Sequence, residues 1–141
     1  MFEGCSRLTS ITIPKNVEFF GLNVFNNCTA LNSISIDEDN PHFLVDSNES
    51  DCVSCLYKKL KNDQYQLVLC IKKSNNASET SSLEISKNLA SALQYAFSNC
   101  SNLTSVTFNG SVGSIGESAF YGCTSLTSIR IPSSVTTIEN R

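Results

Sequence analysis

The chain has 141 residues, of which 40% are hydrophobic and 16% are charged, and its net charge is −3 at neutral pH. That length is enough for one domain with a sizeable core. The acidic balance and the scattered Lys and Arg residues disfavour a nucleic-acid partner, because nucleic-acid binders concentrate basic residues on one face. No run approaches the roughly 20 apolar residues of a membrane-spanning helix, so no membrane insertion is expected.

A repeat with a period of 23 residues begins at the start of the chain, and periods of this size are typical of solenoids. Each unit contains a Leu-x-x-Ile-x-Ile segment, which predicts a short strand with both Ile side chains pointing inward. The Phe that opens each unit is expected to anchor a short helical or 3₁₀ turn. The first two units match as Phe2, Cys5, Leu8, Ile11 and Ile13 with Phe25, Cys28, Leu31, Ile34 and Ile36.

The middle of the chain, residues 37–82, departs from this period. Residues 39–43 (Asp-Asn-Pro-His-Phe) indicate a turn. Residues 56–60 (Leu-Tyr-Lys-Lys-Leu) and 65–69 (Tyr-Gln-Leu-Val-Leu) flank Lys61-Asn62-Asp63-Gln64, which predicts a β-hairpin. We expect this insert to protrude from the solenoid while keeping it continuous.

The regular pattern returns over residues 83–141. Leu83, Ile85, Leu89 and Leu93 lead into two further matched units. The sequence therefore predicts leucine-rich repeats at 1–36, an irregular repeat with a hairpin insert at 37–82, and leucine-rich repeats at 83–141. These parts form one continuous solenoid, with one short parallel strand per 23-residue coil. The matched pairs are Phe97 and Phe120, Cys100 and Cys123, Leu103 and Leu126, Val106 and Ile129, and Phe108 and Ile131.

Residues 119–138 follow the pattern Ala-Phe-x-x-Cys-x-x-Leu-x-x-Ile-x-Ile-Pro-x-x-Val-x-x-Ile. This pattern resembles the BspA-like leucine-rich repeat family, which also includes treponemal repeat proteins. The resemblance implies a surface antigen that is secreted or held at the cell surface and that contacts host or matrix proteins, or other cells. It implies no enzyme activity and no cofactor.

The outward side chains of the predicted strands form the expected ligand-binding face. A band of hydroxyl groups with almost no charge suits a polar protein or glycan ligand. No catalytic residue is expected, since His42 is the only His and no nucleophile motif occurs. The face comprises Ser10, Thr12, Ser33, Ser35, Ser105, Thr107, Ser128 and Arg130.

The seven cysteines fall into two groups. Four repeat with the coils (Cys5, Cys28, Cys100 and Cys123), and we expect them to form a buried ladder of small apolar side chains. The others, Cys52, Cys55 and Cys70, lie in the insert. There the alternatives of ordinary packed thiols, a local disulfide and a metal or redox site stay open. We predict no metal site.

The sequence leaves two cellular locations open. The start of the chain shows no signal peptide, so a cytoplasmic protein that acts as a structural scaffold is the alternative to a surface protein. Neither end carries a polar capping unit, which suggests a fragment or self-association through uncapped ends.

Six glycosylation sequons occur, and a secreted glycoprotein would carry glycans most readily on Asn48 and Asn76 in the insert. The other sequons begin at Asn27, Asn99, Asn102 and Asn109.

Overall fold

The computed structural model describes residues 2–46, 53–73 and 80–140. Eleven strands occur in these residues, in three sheets. No helix in the described residues is long and apolar enough to cross a membrane. In chain order the strands are β1 (Ser10–Ile13), β2 (Ser33–Ile36), β3 (Phe43–Asp46), β4 (Val53–Lys59), β5 (Gln64–Lys72), β6 (Ser81–Ile85), β7 (Asn88–Ala92), β8 (Leu103–Phe108), β9 (Val112–Ile115), β10 (Ser128–Arg130) and β11 (Thr137–Ile138).

The strands predicted from the Leu-x-x-Ile-x-Ile segments are confirmed. β1 pairs with β2 in parallel, and β8 pairs in parallel with both β6 and β10. Ile13, Ile34 and Val106 are buried, as the period-two alternation requires. Ile129 is 37% exposed because β10 is the outer strand of its sheet, with no strand of the described residues stacked beyond it.

A second sheet, which the sequence did not indicate, runs along the return path of the coils. Its strand order is β11-β9-β7-β5-β4-β3. Each of β7, β9 and β11 pairs in parallel with its neighbour, so this sheet runs continuously from the last coil to the hairpin. In β9 the buried positions are Val112 and Ile115, and their spacing of three does not give the strict alternation by which a strand is recognised.

The predicted hairpin is confirmed, with β4 and β5 antiparallel, but its predicted protrusion from the solenoid is wrong. β4 pairs with β3 and β5 pairs with β7, so the hairpin lies inside the six-stranded sheet. Five consecutive residues of β4 (53–57) and five of β5 (67–71) are buried. Continuous apolar runs of this kind are typical of strands that are covered on both faces.

The hairpin separates two hydrophobic cores. On one face, Leu56, Leu69 and Ile71 pack with the first two coils, whose core includes Phe25 and Leu31. The opposite face packs with the later coils through Val53, Cys55, Tyr57, Leu67 and Cys70. We call residues 53–59 and 64–72 the internal wall, because their side chains contribute to both cores.

The Phe positions lie in tight turns, and the expectation of short helical or 3₁₀ segments there is wrong. The N–H of Cys28 donates to the Phe25 carbonyl at 3.2 Å, and the N–H of Cys100 donates to the Phe97 carbonyl at 3.1 Å. These turns do not continue into a helix, because the residue before each repeat Cys has a positive φ, which a helix cannot contain. This position is occupied by Gly4 (φ 74°), Asn27 (59°), Asn99 (62°) and Gly122 (73°).

Candidate binding surface

Three parallel strands in the C-terminal half present two rows of outward side chains. The register pairs Ser105 with Ser128, and Thr107 with Arg130. These four predicted site residues therefore lie together on one face. β6 adds Ser82 beside Ser105 and Glu84 beside Thr107, and both of these side chains are exposed. The result is one row of Ser residues (82, 105 and 128) and a parallel row of Glu84, Thr107 and Arg130.

Sequence reasoning missed Ser82 and Glu84, although a signal for them was present. Leu83 and Ile85 are buried two residues apart, so their neighbours on the strand must point outward. β6 was obscured because it lies at the end of the irregular segment. Glu84 accepts a hydrogen bond from the Asn109 side-chain amide at 3.2 Å, which restrains the carboxylate at the edge of the face.

The N-terminal half presents a smaller face of the same kind. Ser10 lies opposite Ser33 and Thr12 lies opposite Ser35, and all four side chains are exposed. The hydroxyl oxygens of Thr12 and Ser35 are 2.7 Å apart and hydrogen-bonded. This bond satisfies hydroxyl groups within the pair and leaves a neutral polar surface.

The eight predicted residues do not share one extended sheet, as we expected from the stacking of coils. β1 and β2 form a sheet of their own, and β6, β8 and β10 form another. The internal wall interrupts the stacking between them, since β2 contacts β3 and β4 and makes no ladder with β6. The candidate surface therefore consists of two separate faces.

The cysteines of the insert form a disulfide between Cys55 and Cys70, which was one of the open alternatives. These residues are register partners on β4 and β5, with Cα atoms 4.1 Å apart. A disulfide consumes both thiolates that the metal or redox alternative required. Cys52, the third member, lies outside the described residues. Among the described residues, no group of three or more His, Cys, Asp or Glu side chains is placed to hold a metal ion.

The four repeat cysteines are free thiols, and the predicted buried ladder is confirmed for Cys28 and Cys100, whereas Cys5 and Cys123 are half-buried. The Cys28 thiol donates to the Phe2 carbonyl at 2.9 Å, and the Cys123 thiol donates to the Phe97 carbonyl at 3.1 Å. Each thiol thus bonds the Phe of the preceding coil. At the internal wall, where no Phe turn precedes it, Cys100 donates instead to the Cys70 carbonyl at 3.3 Å.

Burial makes three of these thiols, Cys28, Cys100 and Cys123, poor nucleophiles. It raises the pKa of Cys123 to about 11 from an ordinary 9.0. The pKa of Cys100 is raised more than that of Cys123, mainly by burial and to a smaller extent by repulsion from Cys123. The pKa of Cys28 is also raised, mainly by burial. Because the thiolate is the reactive form, the raised pKa lowers the reactivity of these three thiols at neutral pH.

Several comparisons bear on this architecture. A family model described as a BspA type leucine rich repeat region matches residues 1–54 and 72–141 in six copies. The fold is similar to the crystal structure of a leucine rich cell surface protein from Faecalibacterium prausnitzii, with a TM-score of 0.70 and 30% sequence identity. That match covers 92% of this chain and 31% of the other, so the chain spans under a third of the length of that protein.

A second solved structure, the T. pallidum leucine rich repeat protein, matches with a TM-score of 0.47 and 24% identity, covering 58% of this chain and 38% of the other. No curated protein matches the chain. The family model covers most of the sequence, and the Phe, Cys, Leu and Ile positions that define its period are those that build the coils. The chain therefore belongs to the BspA-type leucine-rich repeat family.

Proposed function

We propose that this chain is a non-enzymatic protein-binding and adhesion module of the surface-antigen type. Its ligand is a protein or glycan, and family resemblance favours a host or matrix protein. The observation that carries the proposal is the outward face of β6, β8 and β10, where six polar side chains are aligned in two rows on a rigid parallel sheet. A rigid array of this kind loses little conformational entropy when a ligand binds.

The charge pattern of this face supports directional binding. Glu84 and Arg130 lie on the outer strands of the three-stranded sheet and flank Thr107. Two strand spacings separate them, which is roughly 9.6 Å. A partner with a complementary pair of charges would bind in one orientation, because the reversed orientation places like charges together. The Ser row beside them supplies neutral donors and acceptors.

We place the protein at the cell surface or in a secreted form. The Cys55–Cys70 disulfide supports this location, because disulfides persist in oxidising compartments. The similar protein from Faecalibacterium prausnitzii is described as a cell surface protein. The expected glycan acceptors, Asn48 and Asn76, lie outside the described residues. Of the other sequons, those at Asn27 and Asn109 are exposed, whereas Asn102 is buried. The alternative, an intracellular scaffold, draws support from the unpaired repeat thiols, but these are packed inside and need no reducing environment.

An array of extracellular-matrix proteins and glycans, probed with the oxidised chain, tests the proposal. Binding to at least one array member is expected, and the variant Ser105→Arg should weaken it by at least tenfold because the new side chain covers the centre of the face. Thr137→Arg, on an exposed position of β11 in the other sheet, is the matched control and should bind normally. Binding that is equally strong in all three proteins would refute the assignment of this face.

A further inference from the structure

Three lysines lie within four consecutive positions at the turn of the hairpin, namely Lys58, Lys59 and Lys61. The chain has only ten basic residues in total and a net charge of −3, so this is a local concentration of positive charge. Short Lys-rich clusters are typical of sites that bind heparin or nucleic acids, because both ligands are polyanions. We call residues 58–64 the hairpin tip. Neither the strand faces nor the disulfide gives this cluster a role.

The hairpin tip is the end of the internal wall that reaches solvent. Residues 59–64 are all exposed and Lys58 is half-buried, whereas the strands behind them are buried. Lys59 and Lys61 are two residues apart, so their Cα atoms lie at most about 7 Å from each other. Lys58 points to the opposite face of β4, because successive side chains of a strand alternate. Positive charge therefore surrounds the end of the hairpin.

Hydrogen bonds fix the backbone of the hairpin tip. The N–H of Leu60 donates to the Gln64 carbonyl at 2.8 Å, and the N–H of Gln64 donates to the Lys61 carbonyl at 3.3 Å. The N–H of Lys59 donates to the carbonyl of His42 at 2.7 Å, which ties the tip to the residue before β3. Ligand binding therefore orders the Lys side chains but not the backbone, which limits the loss of conformational entropy.

The ammonium groups of the hairpin tip are not neutralised by neighbouring carboxylates. In the part of the chain that the structure describes, the one ion pair joins Lys87 and Asp46 and does not involve the tip. The other lysine doublet differs in both respects that matter. Lys72 and Lys73 are half-buried, and Nζ of Lys72 donates to Oγ of Ser101 at 3.4 Å. The tip is thus the place where positive charge is both concentrated and exposed.

Acidic groups on either side of the hairpin tip restrict the path of a polyanion across it. Asp63 is exposed and directly precedes β5. On the β3 side, Asp37, Glu38 and Asp39 lie in the loop that leads to His42. Because like charges repel, an anionic chain is expected to cross the tip between these two acidic positions, over the end of β4. The carboxylate of Asp63 therefore opposes binding and helps to fix the orientation of the ligand.

We propose that the hairpin tip binds a sulfated glycosaminoglycan, a linear polyanion of cell surfaces and matrix, through Lys58, Lys59 and Lys61. A single-stranded nucleic acid fits less well, because it requires exposed aromatic rings for base stacking. Tyr65, the aromatic residue beside the tip, is half-buried and packs edge-on against Tyr57 with ring centroids 6.3 Å apart. An anionic membrane also fits less well, since polybasic membrane-binding segments carry about 4–8 Lys or Arg residues. The choice of a glycan rests on the surface location proposed above, whereas the site is separate from the outward strand faces.

Charge dominates binding at this site. Each ammonium group forms a charge-assisted hydrogen bond with a sulfate group, and the counterions that surround the polyanion are released. The exposed side-chain amides of Asn62 and Gln64 donate to neighbouring sulfate or hydroxyl oxygens. Leu60, which is 39% exposed, offers an apolar contact to a sugar ring. The affinity is therefore expected to fall steeply as the salt concentration rises.

Fluorescence anisotropy of a labelled heparin oligosaccharide, titrated with the oxidised full chain at about 0.1 M NaCl, tests the proposal. Lys59→Gln/Lys61→Gln should weaken binding by about tenfold or more. It should also lower the slope of log affinity against log salt by roughly 2, since each lost contact contributes about 0.9. Lys72→Gln/Lys73→Gln is the matched control, with the same change in net charge. It lies at the other end of the nine-residue strand β5, about 26 Å away and beyond the Debye length, so it should bind within about twofold of the wild type.

A variant with the opposite effect excludes misfolding as the explanation. Asp63 has a φ of 53°, which Asn also adopts readily, so Asp63→Asn should keep the turn and remove the repelling carboxylate. We expect it to bind the heparin oligosaccharide about two- to fivefold more tightly than the wild type. Ser105→Gln, which enlarges a side chain of the strand face without adding charge, should bind the oligosaccharide unchanged. A failure of the proposed strand face is thereby distinguished from a failure of the hairpin tip.

The chemistry of the ligand is tested with two further probes. A desulfated oligosaccharide of the same length should bind about tenfold more weakly or less, because the sulfate groups carry the contacts with the lysines. A single-stranded oligonucleotide of equal charge should also bind more weakly than heparin. The proposal is overturned if either probe binds as tightly as heparin, if Lys59→Gln/Lys61→Gln binds as the wild type does, if the Lys72/Lys73 control loses as much affinity, or if Asp63→Asn weakens binding.

Discussion

Loss of the Cys55–Cys70 disulfide is expected to lower the free energy of unfolding by about 3 kcal/mol. The bond joins residues 15 apart, and closing a loop of that length restricts the unfolded chain by roughly this amount. The native strands gain less from the bond, because the β4–β5 ladder already holds them together. Domains are commonly stable by only about 5–15 kcal/mol, so the loss is a large part of the total.

The double variant Cys55→Ala/Cys70→Ala, unfolded in urea and followed by circular dichroism, measures this effect. Both residues face the core of the later coils, so a small packing loss adds to the entropic one. Treatment of the wild type with a reductant should give a comparable decrease. Cys5→Ala, which removes a free and half-buried thiol, is the control and should change stability by less than about 1 kcal/mol.

Two results would refute this reasoning. One is a decrease below about 1 kcal/mol in the double variant, which would mean that the loop is not constrained as the pairing of β4 and β5 requires. The other is a thiol count on the folded, non-reduced chain that finds Cys55 and Cys70 both free.

Three further substitutions or measurements test the packing. Gly113→Ala should destabilise the chain by about 1–3 kcal/mol, because its new Cβ would lie 2.4 Å from the Ala90 carbonyl oxygen; urea unfolding against Ala90→Gly measures this. In the same assay, Phe97→Ala should lower the free energy of unfolding by about 3–5 kcal/mol, because Phe97 is fully buried. Phe19 is 73% exposed, so Phe19→Ala should change it by no more than about 0.5 kcal/mol. With its pKa near 11, Cys123 should be alkylated at pH 8 on the order of 100-fold more slowly than an ordinary thiol, and faster by about tenfold per pH unit up to that pKa. The described burial would be contradicted if Gly113→Ala were as stable as Ala90→Gly, if Phe97→Ala were as stable as Phe19→Ala, or if native Cys123 were alkylated rapidly.

The coil period and the inward strands could be predicted from the sequence because the same residue types return every 23 positions. Phe97 and Phe120 stack with ring centroids 4.7 Å apart, as do Phe2 and Phe25 at 5.9 Å. Such stacking follows directly from equal spacing in a solenoid. The strands β1, β2, β8 and β10 therefore followed from local pattern alone.

The internal wall could not be predicted in the same way. A hairpin in an irregular segment ordinarily suggests a surface excursion, and residues such as Lys58, Lys59 and Asp63 support that interpretation at its tip. The decisive feature is that residues 53–57 and 67–71 are buried on both faces. A short apolar run of this kind does not by itself show whether a strand lies inside a sheet, because that depends on which strands lie beside it. The same long-range placement splits the candidate binding face in two.

The Cys alternatives illustrate a related limit. The spacing of Cys55 and Cys70 allows a bridge, a metal site or simple packing, and only the antiparallel register of β4 and β5 makes them direct partners. For the repeat cysteines, spacing alone predicted burial, but not the bond of each thiol to a carbonyl of the preceding coil.

The central claim is that the hairpin is an internal wall shared by two cores. Hydrogen exchange of the native, oxidised chain tests it most directly, since amides at such a position open only with global unfolding. Amides of residues 54–57 and 67–71 should exchange as slowly as those of Val106 in the centre of β8. Exchange of the hairpin amides that is faster by several orders of magnitude than that of β8 would contradict the account, because it would place the hairpin outside the packed interior.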